Sequence, residues 1–181
     1  MTTYVAFLRA INLGATRKFP RAAIVAATEA AGFDGVATHI NTGNVRLDTA
    51  MRSRARIESA LEAAYRAEAG FEVPTIAFTA AELAAVAVVA DALDHHGRHY
   101  VSLLKAEPTA ATLAALEEAI GAAGVDGERV HVEGRAAHLL LAEGESQYHT
   151  AKLSNAFLER HLGVATNRNV TVVRTLVRKW C

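Results

Sequence analysis

The chain has 181 residues, of which 51% are hydrophobic and 21% are charged, and its formal net charge at pH 7 is zero. This length and composition are those of a globular protein with one domain or two small ones, and they exclude a disordered tail. The longest apolar run, in "LAAVAVVADAL", is far shorter than the roughly 20 residues of a membrane-spanning helix, which excludes a transmembrane segment.

Strand-like and helix-like patterns alternate in the first half of the chain. In chain order they are the strand "TYVAFLR", the helix "PRAAIVAATEAAG", the strands "GVATHI" and "NVRLD", the helix "RSRARIESALEAAYRAEAG", the strand "VPTIAF" and the helix "AAELAAVAVVADAL". Pro20 and Gly32 stand where a helix favours proline at its start and glycine after its end. Thr79 and Glu82 have the spacing of a capping box, which predicts that the next helix begins there.

The same order of elements returns after the histidine-rich stretch "DHHGRH". It consists of the strand "YVSLLK", the helix "TAATLAALEEAIG", the strands "RVHVE" and "RAAHLLLA", the helix "TAKLSNAFLERHLG" and the extended piece "VATNRN". In the last segment, Val173, Leu176, Val177 and Trp180 fall at helical spacing, so we predict a final helix. The pattern predicts an α/β protein, an α+β sandwich with two ferredoxin-like β-α-β-β-α-β halves in tandem, residues 1–94 and 97–181.

The usual sheet order of this unit, 4-1-3-2, predicts which loops meet. The third strand runs antiparallel to both the first and the second, so the end of strand one lies beside the hairpin between strands two and three. The loop from Arg9 to Lys18 is therefore predicted to face the turn "NTGN", where Gly43 suits a tight hairpin. Pro74 cannot donate to a ladder, which agrees with an edge position for strand four.

Three blocks of sequence carry a family resemblance: "YVAFLRAINLG" at the start, "THINTGNVRLD" near residue 40, and "AKLSNAFLERHLGVATNRN" near the end. In order and spacing, they resemble the bacterial family known as domain of unknown function 1697. The resemblance implies an α/β protein with two ferredoxin-like halves and no established activity. The chain departs from the family at Ala10 and Ala15, where a glycine is usual, and at Val170, where an aromatic residue is usual.

The zero net charge conceals a segregation along the chain. Residues 1–31 carry four Lys or Arg against one acidic residue, a net +3, and residues 146–181 carry six against one, a net +5. Residues 32–145 carry nine against seventeen, a net −8. Basic chain ends are typical of a protein with an anionic partner, although packing of oppositely charged segments explains the same pattern.

The predicted binding residues come from three stretches of polar and basic side chains. The loop after strand one leads into a helix start, where backbone amides and guanidinium groups favour a phosphate or carboxylate. The hairpin turn adds two amides, and the stretch before the last helix, which includes Lys152, adds two cations and an amide. The predicted ligand-binding residues are Arg9, Asn12, Arg17, Asn41, Asn44, Lys152, Arg168 and Asn169.

Each stretch also has a purely structural interpretation. Arg17 and Lys18 can be solvated loop charges, and the amides of the turn are what a tight hairpin demands. Thr166 or Asn169 can cap the last helix. Lys152 is predicted in the first turn of a helix, where the dipole disfavours a cation, so its position there indicates something other than helix stability.

Three functions follow from these patterns. The first is a protein that binds a small anionic or phosphorylated ligand, and the second is an enzyme with Arg and Lys as oxyanion stabilisers. The third, nucleic-acid binding, is disfavoured because the central strands lack an aromatic platform. The histidines His95, His96 and His99 lack a clear fourth ligand, so no metal site and no cofactor are expected.

The cellular location is predicted from two observations. The N-terminal sequence lacks the pattern of a signal peptide, and the single cysteine, Cys181, has no partner for an intrachain disulfide. Both observations are typical of a cytoplasmic protein, and no membrane partner is expected. The sequence leaves the oligomeric state open.

Overall fold

The computed structural model describes residues 1–142 and 151–181. The first seven elements are β1 (Thr2–Leu8), α1 (Arg21–Ala30), β2 (Asp34–His39), β3 (Asn44–Thr49), α2 (Arg54–Ala69), β4 (Thr75–Thr79) and α3 (Ala80–Ala92). The next seven are β5 (His99–Leu104), α4 (Ala110–Ala123), β6 (Arg129–Glu133), β7 (Ala136–Leu140), α5 (Asn155–Leu162), β8 (Ala165–Asn169) and α6 (Val170–Trp180). The predicted fold of two repeated β-α-β-β-α-β halves is confirmed.

The chain divides into two compact units. One unit contains residues 1–84 and 176–181, and the other contains residues 85–175. The prediction that residues 1–94 and 97–181 are the two domains stays a prediction. No helix in the described part of the chain is long and apolar enough to cross a membrane.

The first unit is built on an antiparallel sheet with the strand order β2-β3-β1-β4. Strand β1 is central because its residues are apolar on both faces, and Val5, Ala6 and Phe7 are fully buried. Ile57 and Leu61 of α2 pack against the same core as Leu47 of β3. The predicted edge position of β4 is confirmed, since among the described strands β4 pairs with β1 alone, and Pro74 lies just before its first residue.

The second unit repeats this arrangement with the strand order β6-β7-β5-β8. Its core brings Leu104 and Ala137 of the sheet together with Leu116 of α4 and Leu158 of α5. The final helix is confirmed as α6. The β-branched residues that argue for strand in this segment are overridden because Val173 and Leu176 fall on one helical face and are buried.

Of two predicted helix starts, that of α5 is wrong and that of α3 is confirmed. The helix predicted over "TAKLSNAFLERHLG" begins later, at Asn155, because the Ser154 hydroxyl caps it by accepting the Phe157 amide. Thr150, the first residue of that prediction, lies outside the described residues. The capping box at α3 is confirmed: Glu82 Oε2 accepts the Thr79 amide at 2.8 Å, and Thr79 Oγ1 accepts the Glu82 amide at 3.1 Å.

Candidate functional site

The loop between β1 and α1, residues 9–20, leaves the sheet between two neighbouring backbone segments. The Leu8 amide donates to the Gly43 carbonyl at 2.8 Å, and the Arg9 amide donates to the Pro74 carbonyl at 2.9 Å. These bonds continue the ladders of β1 with β3 and β4 beyond the ends of the strands. The loop therefore begins beside the β2–β3 turn, as the predicted strand order requires.

Asn12 joins this loop to the β2–β3 turn. Its Nδ2 donates to the Asn41 carbonyl at 2.8 Å and to the Phe19 carbonyl at 3.3 Å, while its Oδ1 accepts the Phe19 amide at 2.9 Å. The Asn12 amide donates to the Arg17 carbonyl at 2.6 Å. The predicted contact between the loop and the turn is thus confirmed, with Asn12 as its centre.

Gly43 allows this close approach. Its φ is +76°, and a Cβ at this position would lie 2.7 Å from the Leu8 Cβ and 2.9 Å from the Ile11 Cδ1. Any other residue would therefore push the turn away from the loop. The requirement for glycine comes from the contact as well as from the hairpin geometry.

Arg17 holds the loop in place from its other side. Its Nε donates to the Ala10 carbonyl at 2.6 Å, and its Nη2 donates to the Glu72 carbonyl at 2.7 Å. The guanidinium carbon lies 4.5 Å from the centre of the Phe71 ring, which is the range of a cation–π contact. Arg17 thus connects the loop to the segment between α2 and β4.

The loop and the turn enclose a cleft of about 630 Å³, which we call the loop cleft. Its lining residues are Asn12, Gly14, Lys18, Pro20, Arg21 and Asn41. Lys18 makes no hydrogen bond or ion pair with the described residues, whereas Arg21 Nε donates to Thr38 Oγ1 at 3.2 Å. The lining contains amides and cations and no carboxylate. These described lining residues are therefore suited to holding an anion.

The other residues predicted at this end of the sheet have different surroundings. Arg9 follows β1 and is half-buried, so it lies where the sequence predicts it, although it is not among the lining residues. Asn44 is fully buried, and its Nδ2 donates to the His39 carbonyl and to Thr42 Oγ1, both at 3.0 Å. The Asn44 side chain therefore holds the turn itself.

Lys152, Arg168 and Asn169 belong to the second unit. Lys152 lies before α5 and not in its first turn, because the helix begins only after Ser154, so the argument from the helix dipole is wrong. The amides of Lys152 and Leu153 donate to the two carboxylate oxygens of Glu128 at 3.0 and 2.9 Å.

Arg168 lies in β8 and is buried. Its Nη1 donates to Thr166 Oγ1 at 3.0 Å and to the Asn167 carbonyl at 2.8 Å. Burial lowers the pKa of Arg168 to about 10, so it is charged at neutral pH. Asn169 Oδ1 accepts the Thr171 amide at 2.8 Å, which caps α6 as the structural interpretation of this residue predicts.

Two histidines of the stretch "DHHGRH", His95 and His99, make contacts with residues of the second unit. His95 Nε2 lies 2.8 Å from the Leu141 carbonyl, and His99 Nε2 lies 2.9 Å from His138 Nδ1. Within residues 1–142 and 151–181, no group of three His, Cys, Asp or Glu side chains has an arrangement that could hold a metal ion. The sequence does not indicate the contact between His138 and His99, because the two residues lie 39 positions apart and His138 lies in a predicted core strand.

Gly14, Lys18, Pro20 and Arg21 line the cleft but are not among the predicted ligand-binding residues, although Lys18 belongs to the basic loop from which those residues were taken. The signal that identifies them is present in the sequence. Arg21 directly follows the proline that begins α1, so its side chain starts at the helix end that the loop approaches. Lys18 and Arg21 lie on either side of Pro20 and line the cleft, whereas Arg17 does not line it.

The comparisons with known proteins agree with this fold. No curated protein matches the sequence. Among solved structures, the conserved bacterial protein SP0830 from Streptococcus pneumoniae is similar over 99% of this chain and 98% of its own, with a TM-score of 0.73 and 18% sequence identity. At this identity, the similarity shows the fold alone.

The family comparison gives the assignment. The profile of a protein family of unknown function, DUF1697, matches residues 1–138, which include both the loop and the turn of the cleft. This range covers more than half of the chain, and it agrees with the resemblance of the first two sequence blocks. The chain therefore belongs to the DUF1697 family of proteins of unknown function.

Proposed function

We propose that this protein binds a small anionic ligand, such as a phosphorylated metabolite, in the loop cleft. The observation that carries the proposal is the lining of the cleft, in which the described residues include the cations Lys18 and Arg21 and the Asn41 amide and include no carboxylate. Ammonium, guanidinium and amide groups are the donors that recognise phosphate and carboxylate oxygens. The cleft thus offers a ligand positive charge and hydrogen-bond donors.

The size of the cleft supports a small-molecule ligand. Its volume of about 630 Å³ is within the range of roughly 300–1,000 Å³ of small-molecule sites. Pro20 and the aliphatic stems of Lys18 and Arg21 add apolar surface to the lining. A ligand with one anionic group and a less polar body fits this combination better than a bare inorganic ion.

The start of α1 adds a further attraction for an anion. Pro20 is the N-cap residue of this helix and provides no side-chain hydrogen bond to the first-turn amides. The first turn also contains no acidic residue that would compete with a ligand. The partial positive charge of the helix start therefore adds to the charges of Lys18 and Arg21.

The length of the loop supports a functional role. Between β1 and α1, the chain uses the twelve residues 9–20, whereas the same connection in the second half, between β5 and α4, uses the five residues 105–109. The short connection is sufficient for the fold. The additional residues form the wall of the cleft, as expected of a loop that a rigid scaffold presents for binding.

Ligand titrations followed by thermal unfolding test the proposal. Phosphate, sulfate and a panel of nucleoside and sugar phosphates are added to wild type, Lys18→Ala, Arg21→Ala and the double variant. A saturable rise in Tm is expected with at least one phosphorylated compound, and its affinity should fall roughly tenfold or more in each single variant. Arg56→Ala is the matched control, because it removes an exposed cation of α2 that does not line the cleft.

Two outcomes decide between this function and its alternatives. Equal stabilisation of wild type and the double variant would mean only a general effect of salt and would contradict the proposal. Conversion of a bound compound, followed by mass spectrometry, would identify an enzyme rather than a binding protein. The contribution of Lys152, Arg168 and Asn169 to the same ligand stays a prediction, which Arg168→Ala tests in the same titration.

A further inference from the structure

In the described residues, the two sheets have four edge strands, β2, β4, β6 and β8, and three of these edges are interrupted or have backbone amides bound by side chains. On β4, Glu58 Oε1 accepts the Ala77 amide and Glu62 Oε1 accepts the Thr75 amide, both at 2.9 Å. These two carboxylates of α2 occupy the donors that another strand would need. Edge strands of monomeric proteins are commonly protected in such ways.

The edge of β8 has one contact of the same kind, and the edge of β2 is interrupted by a bulge. On β8, Glu159 Oε1 accepts the Ala165 amide at 3.1 Å. On β2, the register with β3 shifts between Asp34 and Ala37, and Gly35 has a φ of +56°. Arg46 Nη1 also donates to the Gly35 carbonyl at 2.5 Å. A bulge of this kind twists an edge and interrupts its pairing groups.

Strand β6 is different because its edge is regular. It pairs with β7 without a register shift, from Arg129 opposite Leu140 to Glu133 opposite Ala136. Gly134, with a φ of +54°, begins the two-residue turn that joins the strands. In such a hairpin, the pair that flanks the turn is hydrogen-bonded, and bonded and non-bonded pairs then alternate.

This alternation directs the backbone N–H and C=O groups of Val130 and Val132 away from β7. Among residues 1–142 and 151–181, no side chain accepts from or donates to these outward groups. A short row of two donors and two acceptors is therefore open for strand addition.

The side chains of β6 favour one particular partner. Its sequence is "RVHVE", with Arg129 and Glu133 at opposite ends and His131 in the middle, and all three side chains are exposed. When two such strands pair antiparallel about His131, Arg129 of each copy lies opposite Glu133 of the other. Val130 of each copy lies opposite Val132. The strand is therefore complementary to itself in charge and in hydrogen bonding.

We propose that β6 is a homodimerisation edge, which pairs antiparallel with β6 of a second copy of this chain around a two-fold axis at His131. The Val130–Val132 pairs exchange four backbone hydrogen bonds, and the two Arg129–Glu133 pairs fix the register. The two His131 residues form a non-hydrogen-bonded pair at the axis. This pairing would join the β6-β7-β5-β8 sheets of two copies into one eight-stranded sheet.

The groove beside β6 supports the same partner. It has a volume of about 200 Å³ and lies between α4 and β6, and its lining consists of the apolar residues Leu113, Leu116, Ile120, Val130 and Val132 and the polar residues Glu117 and His131. Leu113, Ile120 and both valines are only partly buried in the isolated chain. A second β6 brings its own two valines to this side of the sheet and covers the partly exposed apolar side chains.

Charge-swap variants test the proposal. Sedimentation equilibrium of the full chain is expected to show a reversible dimer. Arg129→Glu or Glu133→Arg alone should raise its dissociation constant about tenfold or more, because the two-fold axis repeats each like-charge pair. The double variant Arg129→Glu/Glu133→Arg should restore the dimer. The two residues lie about 13 Å apart along one strand, so this rescue cannot come from contact within one copy.

Disulfide trapping tests the position of the axis. In a Cys181→Ser background, His131→Cys should form an intermolecular disulfide under mild oxidation, because a non-hydrogen-bonded antiparallel pair has a Cα separation of about 4.5 Å. Arg129→Cys is the matched control. It is exposed on the same strand but lies opposite Glu133 of the other copy, so it should not be trapped.

Three results would overturn the proposal: a wild-type chain that stays monomeric over the whole concentration range, a dimer that the single charge variants leave unchanged, or a double variant without rescue. Val132→Pro gives an independent check, because it removes an outward amide that β7 does not use. Circular dichroism should be unchanged in this variant while the dimer is lost. Retention of the dimer would assign the interface to another surface.

Discussion

His99 and His138 form a buried pair in the second sheet, with His99 Nε2 2.9 Å from His138 Nδ1. Only one proton can lie between these two nitrogens. At least one of the two rings must therefore be neutral for the hydrogen bond to form. Burial is the main cause that lowers the pKa of each histidine from 6.5 to about 4. His95, Arg174 and Asp91 face His99, and His131 faces His138, and the net effect of these neighbours lowers both values further.

The pair makes folding stability depend on pH. Between pH 6.5 and pH 4, the unfolded chain binds protons at these residues that the folded chain does not bind. The contribution is therefore complete above pH 6.5 and is lost as the pH falls towards 4. We expect the free energy of unfolding to fall by on the order of 3 kcal/mol for each histidine over this interval.

Urea unfolding at a series of pH values measures this effect. His138→Gln should flatten the pH dependence between pH 6.5 and 4, since the new side chain does not titrate. His96→Gln serves as the matched control, because His96 is exposed and makes no contact with the pair. An unchanged slope in His138→Gln would show that other groups cause the acid sensitivity.

Glutamates at the edges of the two sheets allow a second prediction. Glu58 is 4% exposed, and its carboxylate accepts the buried amide of Ala77. Glu58→Ala should lower the free energy of unfolding by about 2–3 kcal/mol, because it leaves a charge-assisted hydrogen bond unmade and an amide without its acceptor. Urea unfolding checks this value. Glu58→Gln keeps an acceptor oxygen, so a loss equal to that of the alanine variant would contradict the explanation.

The halves also repeat in ways that the sequence hides. Glu62 binds the first amide of β4 in the same way that Glu159 binds the first amide of β8. The Arg9 amide donates to the Pro74 carbonyl as the Lys105 amide donates to the Val164 carbonyl, each at 2.9 Å. The side chains of the halves differ, so the order of elements was the only sign of duplication. The two halves therefore share equivalent hydrogen bonds at the ends of their strands, although their side chains differ.

Much of the candidate site was predictable because it depends on topology. Sheet order alone brought the loop after β1 to the "NTGN" turn, and residue type alone predicted Gly43 in the turn. The directions of long side chains were not predictable. Arg17 and Arg21 are both cations of the same stretch, yet Arg17 donates to the Glu72 carbonyl, which is 55 residues away, whereas Arg21 lines the cleft. That difference depends on a carbonyl whose position only the folded chain defines.

A third prediction concerns Ala10, whose backbone has a positive φ. Its φ of +56° is a left-handed conformation that costs a residue with a Cβ about 1–2 kcal/mol. Ala10→Gly removes this strain but adds flexibility to the unfolded chain, so a net stabilisation of up to about 1 kcal/mol is expected. Thermal or urea unfolding measures the change.

Ala15 gives the matched control for this substitution. It is an alanine exposed in the same loop, and its φ is not left-handed. Ala15→Gly should therefore be neutral or slightly destabilising, because only the unfolded-state effect remains. Equal effects of the two substitutions would exclude backbone strain as the cause.

Asn12 combines a strained backbone with the contacts that shape the loop cleft, and its substitutions separate the two. Its φ is +55°, and its side chain binds both the Asn41 carbonyl and the backbone of Phe19. Asn12→Gly keeps the backbone conformation and removes the side-chain bonds, whereas Asn12→Ala loses the bonds and adds strain. The alanine variant should therefore be less stable than the glycine variant by about 1 kcal/mol.

Both Asn12 variants should weaken ligand binding in the titrations by a similar factor, because each one releases the loop from the Asn41 turn. Asn12→Asp tests the direction of the bonds. Its carboxylate can still accept the Phe19 amide, but it cannot donate to the Asn41 carbonyl, and it adds a negative charge to a cleft lined by Lys18 and Arg21. It should therefore bind an anionic ligand more weakly than Asn12→Gly does. If Asn12→Asp binds the ligand as tightly as wild type, the loop cleft is not the anion site.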